Sequence, residues 1–194
     1  GGENVKWFAE TDISVAEDDE LLHMIAQSGC RQLLVGLESP NAPGVDQIEL
    51  KSNWKYRKRD YYRKAIDRIQ SHGITLNGCF VLGLDGDTEQ VFDQIPRFVE
   101  ETGLYDVQVT VLTPFPGTPL YRQLADDNRL IEPGNWRKCT LFDVNFTPLN
   151  MTAGRLGVRF EQLVRELYSD GAVNRRHKGF LTRNRELKKE TVYA

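Results

Sequence analysis

Six residues stand where parallel-sheet proteins keep their chemistry. Glu10, Asp12, Glu38, Asp85, Asp87 and Thr113 each lie at or just beyond the end of an apolar run of strand length. Carboxylates at successive strand ends can hold a divalent cation, accept ribose hydroxyls or move protons. A plainer use is to cap whatever helix follows. Asp87 suits that use, standing as N-cap with Gln90 at the capping-box position. Glu38 does not, because a long stretch without helical period follows it. Among these carboxylates it is the one to single out for function.

The elements that must position these residues read as repeated βα units. Strands are expected over residues 6–10, 31–38, 74–84 and 105–113, each closed by turn residues and, except after the second, followed directly by a helical pattern. Ser14 and Glu17 have capping-box spacing before Leu21, Leu22, Ile25 and Ala26, and Gly29 stops that helix. Tyr62, Ala65, Ile66 and Ile69 form the inner face of the next, ending at Gly73. Phe92, Ile95 and Val99 face inward on a third, where Pro96 should kink or loosen the first half. Thr118-Pro119 reads as N-cap and N1 of a fourth. After Pro133-Gly134 the pattern changes. Residues 136–148 read as an extended strand or a lid, and Thr152 caps a helix carrying Leu156, Phe160, Leu163 and Leu167. The fold expected is α/β, a partial (β/α) TIM-like barrel of about four parallel strands over residues 1–132. A trailing strand and helix segment follows over 133–172, then a basic tail over 173–194.

Composition removes several function classes. The chain of 194 residues is 40% hydrophobic and 27% charged, with a net charge of −3. That balance favours neither nucleic acid nor a membrane surface, and no apolar run approaches the ~20 residues of a membrane span. Residues 51–64 hold seven basic side chains and one acid among aromatics. They fit a loop and a solvated helix face better than a nucleic-acid surface. The tail from Asn174, with seven lysines and arginines against two glutamates, reads as solvated or frayed. Cys30, Cys79 and Cys139 lie about fifty and sixty positions apart, without metal-ligand spacing. Cys30 and Cys79 read as small buried hydrophobes. An odd cysteine count without secretory features points to a reducing, cytoplasmic setting.

Four motifs then carry a resemblance: residues 7–14 (WFAETDIS), 29–39 (GCRQLLVGLES), 80–87 (FVLGLDGD) and 112–121 (LTPFPGTPLY). In order and spacing they resemble the radical S-adenosylmethionine enzymes, and most closely the subgroup that carries a cobalamin-binding domain and acts on lipids, tetrapyrroles or other hydrophobic substrates. The likeness covers residues 5–170 and begins at about the third barrel strand. It implies the C-terminal part of the barrel, with the family's three-cysteine cluster motif absent. By resemblance, the parent enzyme uses S-adenosylmethionine and a [4Fe–4S] cluster, with cobalamin as a further candidate, on a small-molecule or lipid-like substrate. Glu38 and Ser39 would meet the ribose. Gly78, Phe80, Leu82 and Gly83 would pass beneath the adenine, and backbone groups of Leu112, Thr113 and Pro114 would read its edge. Glu10, Asp12, Asp85 and Asp87 would face substrate. No metal ligand is assigned within this sequence, so the 194 residues are not expected to be catalytic alone.

Two other readings start from the same residues. One is a non-catalytic barrel remnant that binds a partner. The other is an aldolase-like barrel holding a divalent ion between Glu10, Glu38 and Asp85. If the first two barrel strands are missing, strand 6–10 would have an unpaired flank beside Trp7 and Phe8. The unclosed barrel would expose apolar surface of strands 32–37 and 80–84. A homodimer or larger assembly through that edge is expected, unless residues 136–148 or the tail fold over it.

Overall fold

The computed structural model describes residues 5–38 and 59–193, with only the backbone described at Glu38, Arg59, Asp60, Leu187, Lys188 and 190–193. Four strands, β1 (Trp7–Thr11), β2 (Cys30–Glu38), β3 (Thr75–Leu82) and β4 (Asp106–Val111), form one sheet in the order β1-β2-β3-β4. All three pairings are parallel. Helices α1 (Asp19–Gln27), α2 (Arg59–Ser71), α3 (Val91–Thr102), α4 (Pro119–Asp126), α5 (Ala153–Leu167) and α6 (Asp170–Tyr193) connect or follow the strands. The four strands and the partial-barrel architecture are as expected from sequence, with ends displaced by one or two residues.

The sheet's two faces differ, and register makes the difference. Leu33, Val35 and Leu37 of β2, Leu76, Phe80 and Leu82 of β3, and Val107, Val109 and Val111 of β4 are buried under the helices. Tyr62, Ala65, Ile66, Ile69, Phe92, Ile95 and Val99 meet them from α2 and α3. At Gly78 an added Cβ would lie 2.7 Å from Leu37 and 2.9 Å from Leu104, so the close layer packing there requires glycine. The opposite face carries Phe8 and Glu10, Gln32 and Leu34, Asn77, Cys79 and Val81, then Asp106 and Gln108. It is mostly polar and partly exposed. The expected exposure of apolar surface from strands 32–37 and 80–84 is reduced to Leu34 and Val81, half-buried on the open face. Alternation sends their large side chains to the helix side.

Several local expectations are corrected. Ile13–Glu17 is a 3-10 turn in which Asp12 Oδ1 accepts from Ser14 N at 2.9 Å, so Asp12, not Ser14, is the cap. Asp18 caps α1 by accepting from Leu21 N at 2.9 Å. The tight turn lets Ile13, Val15 and Ala16 all reach the core. Thr118 and Thr152 do cap α4 and α5, accepting from Tyr121 N and Arg155 N. Pro96 sits inside α3 without breaking it, and the first bonds there are the shorter i→i−3 kind, Val91 to Thr88 and Asp93 to Gln90.

The greatest departure is the tail, which is helical rather than frayed. The Tyr105 ring stacks on His177 at 4.1 Å and meets Phe180 edge-on. Arg176 donates to the carbonyls of Tyr105 and Leu167, and Arg183 pairs with Asp67. Basic residues thus meet helix and strand ends rich in carbonyls, which a charge count alone could not show. Residues 136–148 are not a regular strand. They make a 3-10 turn, Trp136–Lys138, and an irregular run with one antiparallel bridge, Leu130 to Phe146.

That run covers a sheet edge, but at β4 rather than β1. The Val111 N–H donates to Leu141 O at 2.7 Å, and the Tyr168 hydroxyl donates to Val107 O at 2.7 Å. Burial pushes the Tyr168 phenol up, so it stays a donor at neutral pH.

Candidate functional site

Parallel pairing brings the carboxyl ends of all four strands to one rim, and three of the sequence-predicted carboxylates there are already engaged. Asp12 holds its own 3-10 turn. Asp87 is 1% exposed, and its Oδ2 accepts from Gly83 N at 3.0 Å and Leu84 N at 3.1 Å. It reaches back to close the exit of β3 instead of capping α3 forward. The α3 N-cap is Gln90, without a side-chain bond. Asp85 forms an ion pair with Arg129, the two side chains being 17% and 10% exposed. Arg129 also donates from Nε to Thr147 O at 2.8 Å, and Asn150 Nδ2 donates to the carbonyls of Asp85 and Asp87.

The β3 exit is thus a locked turn. Gly83 sits at φ +91°, where an added Cβ would lie 2.8 Å from Phe146 and 2.9 Å from Leu156. Sequence reasoning placed Gly83, Asp85 and Asp87 together but missed Arg129, Phe146 and Asn150. The only signal for Arg129 was an arginine set between Asn128 and Leu130 in a segment of changed pattern.

The neighbouring exit of β4 is also fixed. Leu112 N donates to Leu82 O at 2.8 Å, extending the β3–β4 pairing. Thr113 is buried, with Oγ1 donating to Val111 O, and the Cys139 thiol faces Pro114 O at 3.9 Å. Side chains of Phe80 and Leu82 point into the helix-covered core. A ligand on the open face would meet the backbone of that strand together with Cys79 and Val81. Glu10 is exposed on the same face. Glu38 ends β2 in register with Phe80, and Ser39 lies outside the described residues. Lower on the open face, Gln32 Nε2 donates to Asp106 Oδ2 at 2.9 Å. The adjacent Asn77 Oδ1 is sealed from solvent with no hydrogen-bond partner. An unpaired buried acceptor costs roughly 1–3 kcal/mol.

The resemblance implies two groups, an iron–sulfur cluster and S-adenosylmethionine, and the residues present bear on both. They do not fit an iron–sulfur cluster. Cys30, Cys79 and Cys139 lie on β2, on β3 and in the trailing run. Burial pushes the Cys30 thiol up, away from the thiolate that a cluster needs. Among the described residues no three His, Cys, Asp or Glu side chains converge as a metal set. The open polar face and the two rigid strand exits leave room for the adenosine part of S-adenosylmethionine at the carboxyl ends of the strands. The aldolase-like reading loses support, because Arg129 takes the Asp85 carboxylate.

No family model matches the chain. Its sequence is 27% identical over 175 residues to a bacteriochlorophyllide d C-12(1)-methyltransferase of Chlorobaculum tepidum, covering 90% of this chain and 37% of that protein. It is 24% identical over 126 residues to a hopanoid C-2 methylase of Rhodopseudomonas palustris, covering 65% and 23%. The chain therefore spans well under half the length of these relatives. Among solved structures, the cobalamin-dependent S-adenosylmethionine radical enzyme OxsB with aqua-cobalamin bound is similar, with a TM-score of 0.54 and 15% identity over 86% of this chain and 30% of that one. That likeness is one of fold. No helix among the described residues is long and apolar enough to cross a membrane. Motif order, parallel sheet and comparisons agree: over most of its length this chain is similar to part of these methyltransferases, and its fold to part of a cobalamin-dependent S-adenosylmethionine radical enzyme.

Proposed function

We propose that the chain supplies the adenosine-binding and substrate-facing wall of a radical S-adenosylmethionine methyltransferase and is not catalytic by itself. The carrying observation is the asymmetry of the sheet. One face is packed solid, and the other is left open and polar beneath a rim of fixed strand exits. The names of two relatives specify a bacteriochlorophyllide and a hopanoid, which supports a tetrapyrrole- or lipid-like substrate for the whole enzyme. In such an enzyme the cluster and S-adenosylmethionine supply the radical chemistry. The residues here would bind and orient: Glu38 at the ribose, and the backbone from Gly78 to Gly83 and from Leu112 to Pro114 at the adenine.

Two measurements test this reading. S-adenosylhomocysteine should bind weakly in calorimetry, with a dissociation constant in the millimolar range. Among the described residues none is assigned to its amino and carboxylate groups, so about 4 rather than 8 kcal/mol is expected. Glu38→Ala should abolish the signal, and identical titrations for the two proteins would remove Glu38 from the site. Anaerobic reconstitution with iron and sulfide should leave no stable iron–sulfur absorbance, since no cysteine pair is positioned to share a cluster. A stoichiometric cluster on these three cysteines would sink the proposed role.

A further inference from the structure

The trailing run builds a corner at the β4 exit. Trp136 is fixed there and yet 52% exposed. Its ring leans on that of Tyr121, with centroids 5.6 Å apart at 49°. The Tyr121 hydroxyl accepts from Gly134 N at 3.3 Å, which holds the approach to the 3-10 turn. Just past the turn, the Cys139 thiol lies against Pro114 O at 3.9 Å and fastens it to the exit loop. That loop carries Phe115, 40% exposed, and the α4 cap Thr118. Arg122 turns back over the loop, donating from Nη1 to Gly117 O at 3.2 Å. Among the described residues no carboxylate pairs with Arg122. The contacts that build this corner all lie within residues 114–139, well inside the described segment.

We propose that this corner is a binding face for the substrate, and that the substrate is a planar tetrapyrrole bearing a carboxylate. The proposal rests on the methyltransferase reading above and narrows its substrate class. Ligands of parallel sheets sit beyond the carboxyl ends of the strands, which is where the corner lies. An indole held by its neighbours but left half in solvent is ordered without being buried, so it can take up a ligand with little loss of its own freedom. A flat aromatic macrocycle stacks on such a ring, whereas a puckered, saturated lipid gains only the area that it covers. Arg122 supplies the second criterion. A guanidinium with no carboxylate of its own suits the acid side chain of a tetrapyrrole, and a hydrocarbon lipid has nothing to offer it.

The test uses the full chain and a metal-free chlorin with one carboxylate, pyropheophorbide, beside its methyl ester, with binding read by fluorescence anisotropy. Wild type should bind both, the acid more tightly. Trp136→Ala should weaken both about tenfold, and Trp136→Phe should recover most of that loss. Arg122→Gln should weaken the acid about threefold and leave the ester unchanged. Phe142→Ala removes another exposed ring of the same run, one that packs on Phe160 instead, and should change neither. S-adenosylhomocysteine titrations of Trp136→Ala should match wild type, so that loss of the adenosine site and loss of this corner are read separately. Equal losses in Trp136→Ala and Phe142→Ala would mean non-specific adsorption and would overturn the proposal. So would an Arg122→Gln effect of the same size on acid and ester, displacement of the chlorin by a saturated triterpene, or no binding of the chlorin by wild type.

Discussion

Gly83→Val is expected to destabilise the chain by several kcal/mol. Two independent costs fall on one position. The backbone is at φ +91°, a conformation that costs a non-glycine residue about 1–2 kcal/mol, and more for a β-branched one. The new side chain would also enter space filled by Phe146 and Leu156, 2.8 and 2.9 Å from the Cβ position alone. Both are fully buried, so neither can swing into solvent, and overpacking of such a site adds about 1–3 kcal/mol. Together these come to about 2–5 kcal/mol, and more for a β-branched side chain, which reaches the lower end of the stability of an ordinary domain. Gly73 provides the control. It has φ +78° with nothing within 4 Å of an added Cβ, so Gly73→Ala should show the backbone cost alone. In urea titrations Gly83→Ala should lose clearly more than Gly73→Ala. Equal losses would mean that Phe146 and Leu156 do not press on the β3 exit.

That contact also shows where sequence legibility ended. The strand at β3 was readable because Leu76, Phe80 and Leu82 alternate with Asn77, Cys79 and Val81 between turn residues. The helices were readable because Ile66 and Ile69, or Phe92, Ile95 and Val99, repeat at helical spacing. Each signal is local and periodic. Phe146 meets Gly83 across sixty-three positions, with only an isolated bridge to Leu130 to mark its segment. The tail misled for a related reason. Its charge invited a solvated reading, yet Arg176, His177, Phe180 and Arg183 are spaced to reach Tyr105, Gly103 and Asp67, which no one-dimensional pattern displays. Asp87 reads in the sequence as the N-cap of the following helix, but it serves the turn before it. A short carboxylate can accept from N–H groups on either side, and the buried exit offered two behind it. For the site itself, the rim was legible because strand ends are. The Arg129 clamp was not, because its two partners arrive from separate elements.

Removing that clamp is expected to have the second-largest effect. Arg129→Met should destabilise the chain by about 3–5 kcal/mol, the usual result of breaking a buried ion pair from one side. The pair is nine-tenths withdrawn from water at Arg129 and more than four-fifths at Asp85, so the orphaned carboxylate has little solvent to turn to. Part of the loss is not electrostatic. Nε donates to Thr147 O, and that carbonyl loses its donor. Asp85→Asn should cost less, since the amide oxygen can still accept from the guanidinium. The double variant Asp85→Asn with Arg129→Met should be less destabilised than the sum of the singles, because the uncompensated charge disappears with its partner. One molar salt should change the wild-type stability little, as screening reaches such a pair poorly. The same clamp spans the β3 exit and the trailing run, so S-adenosylhomocysteine binding should weaken in Arg129→Met under conditions where the variant is still folded. Additive losses in the cycle would show that Asp85 and Arg129 act independently, and unchanged binding would detach the clamp from the rim that it holds.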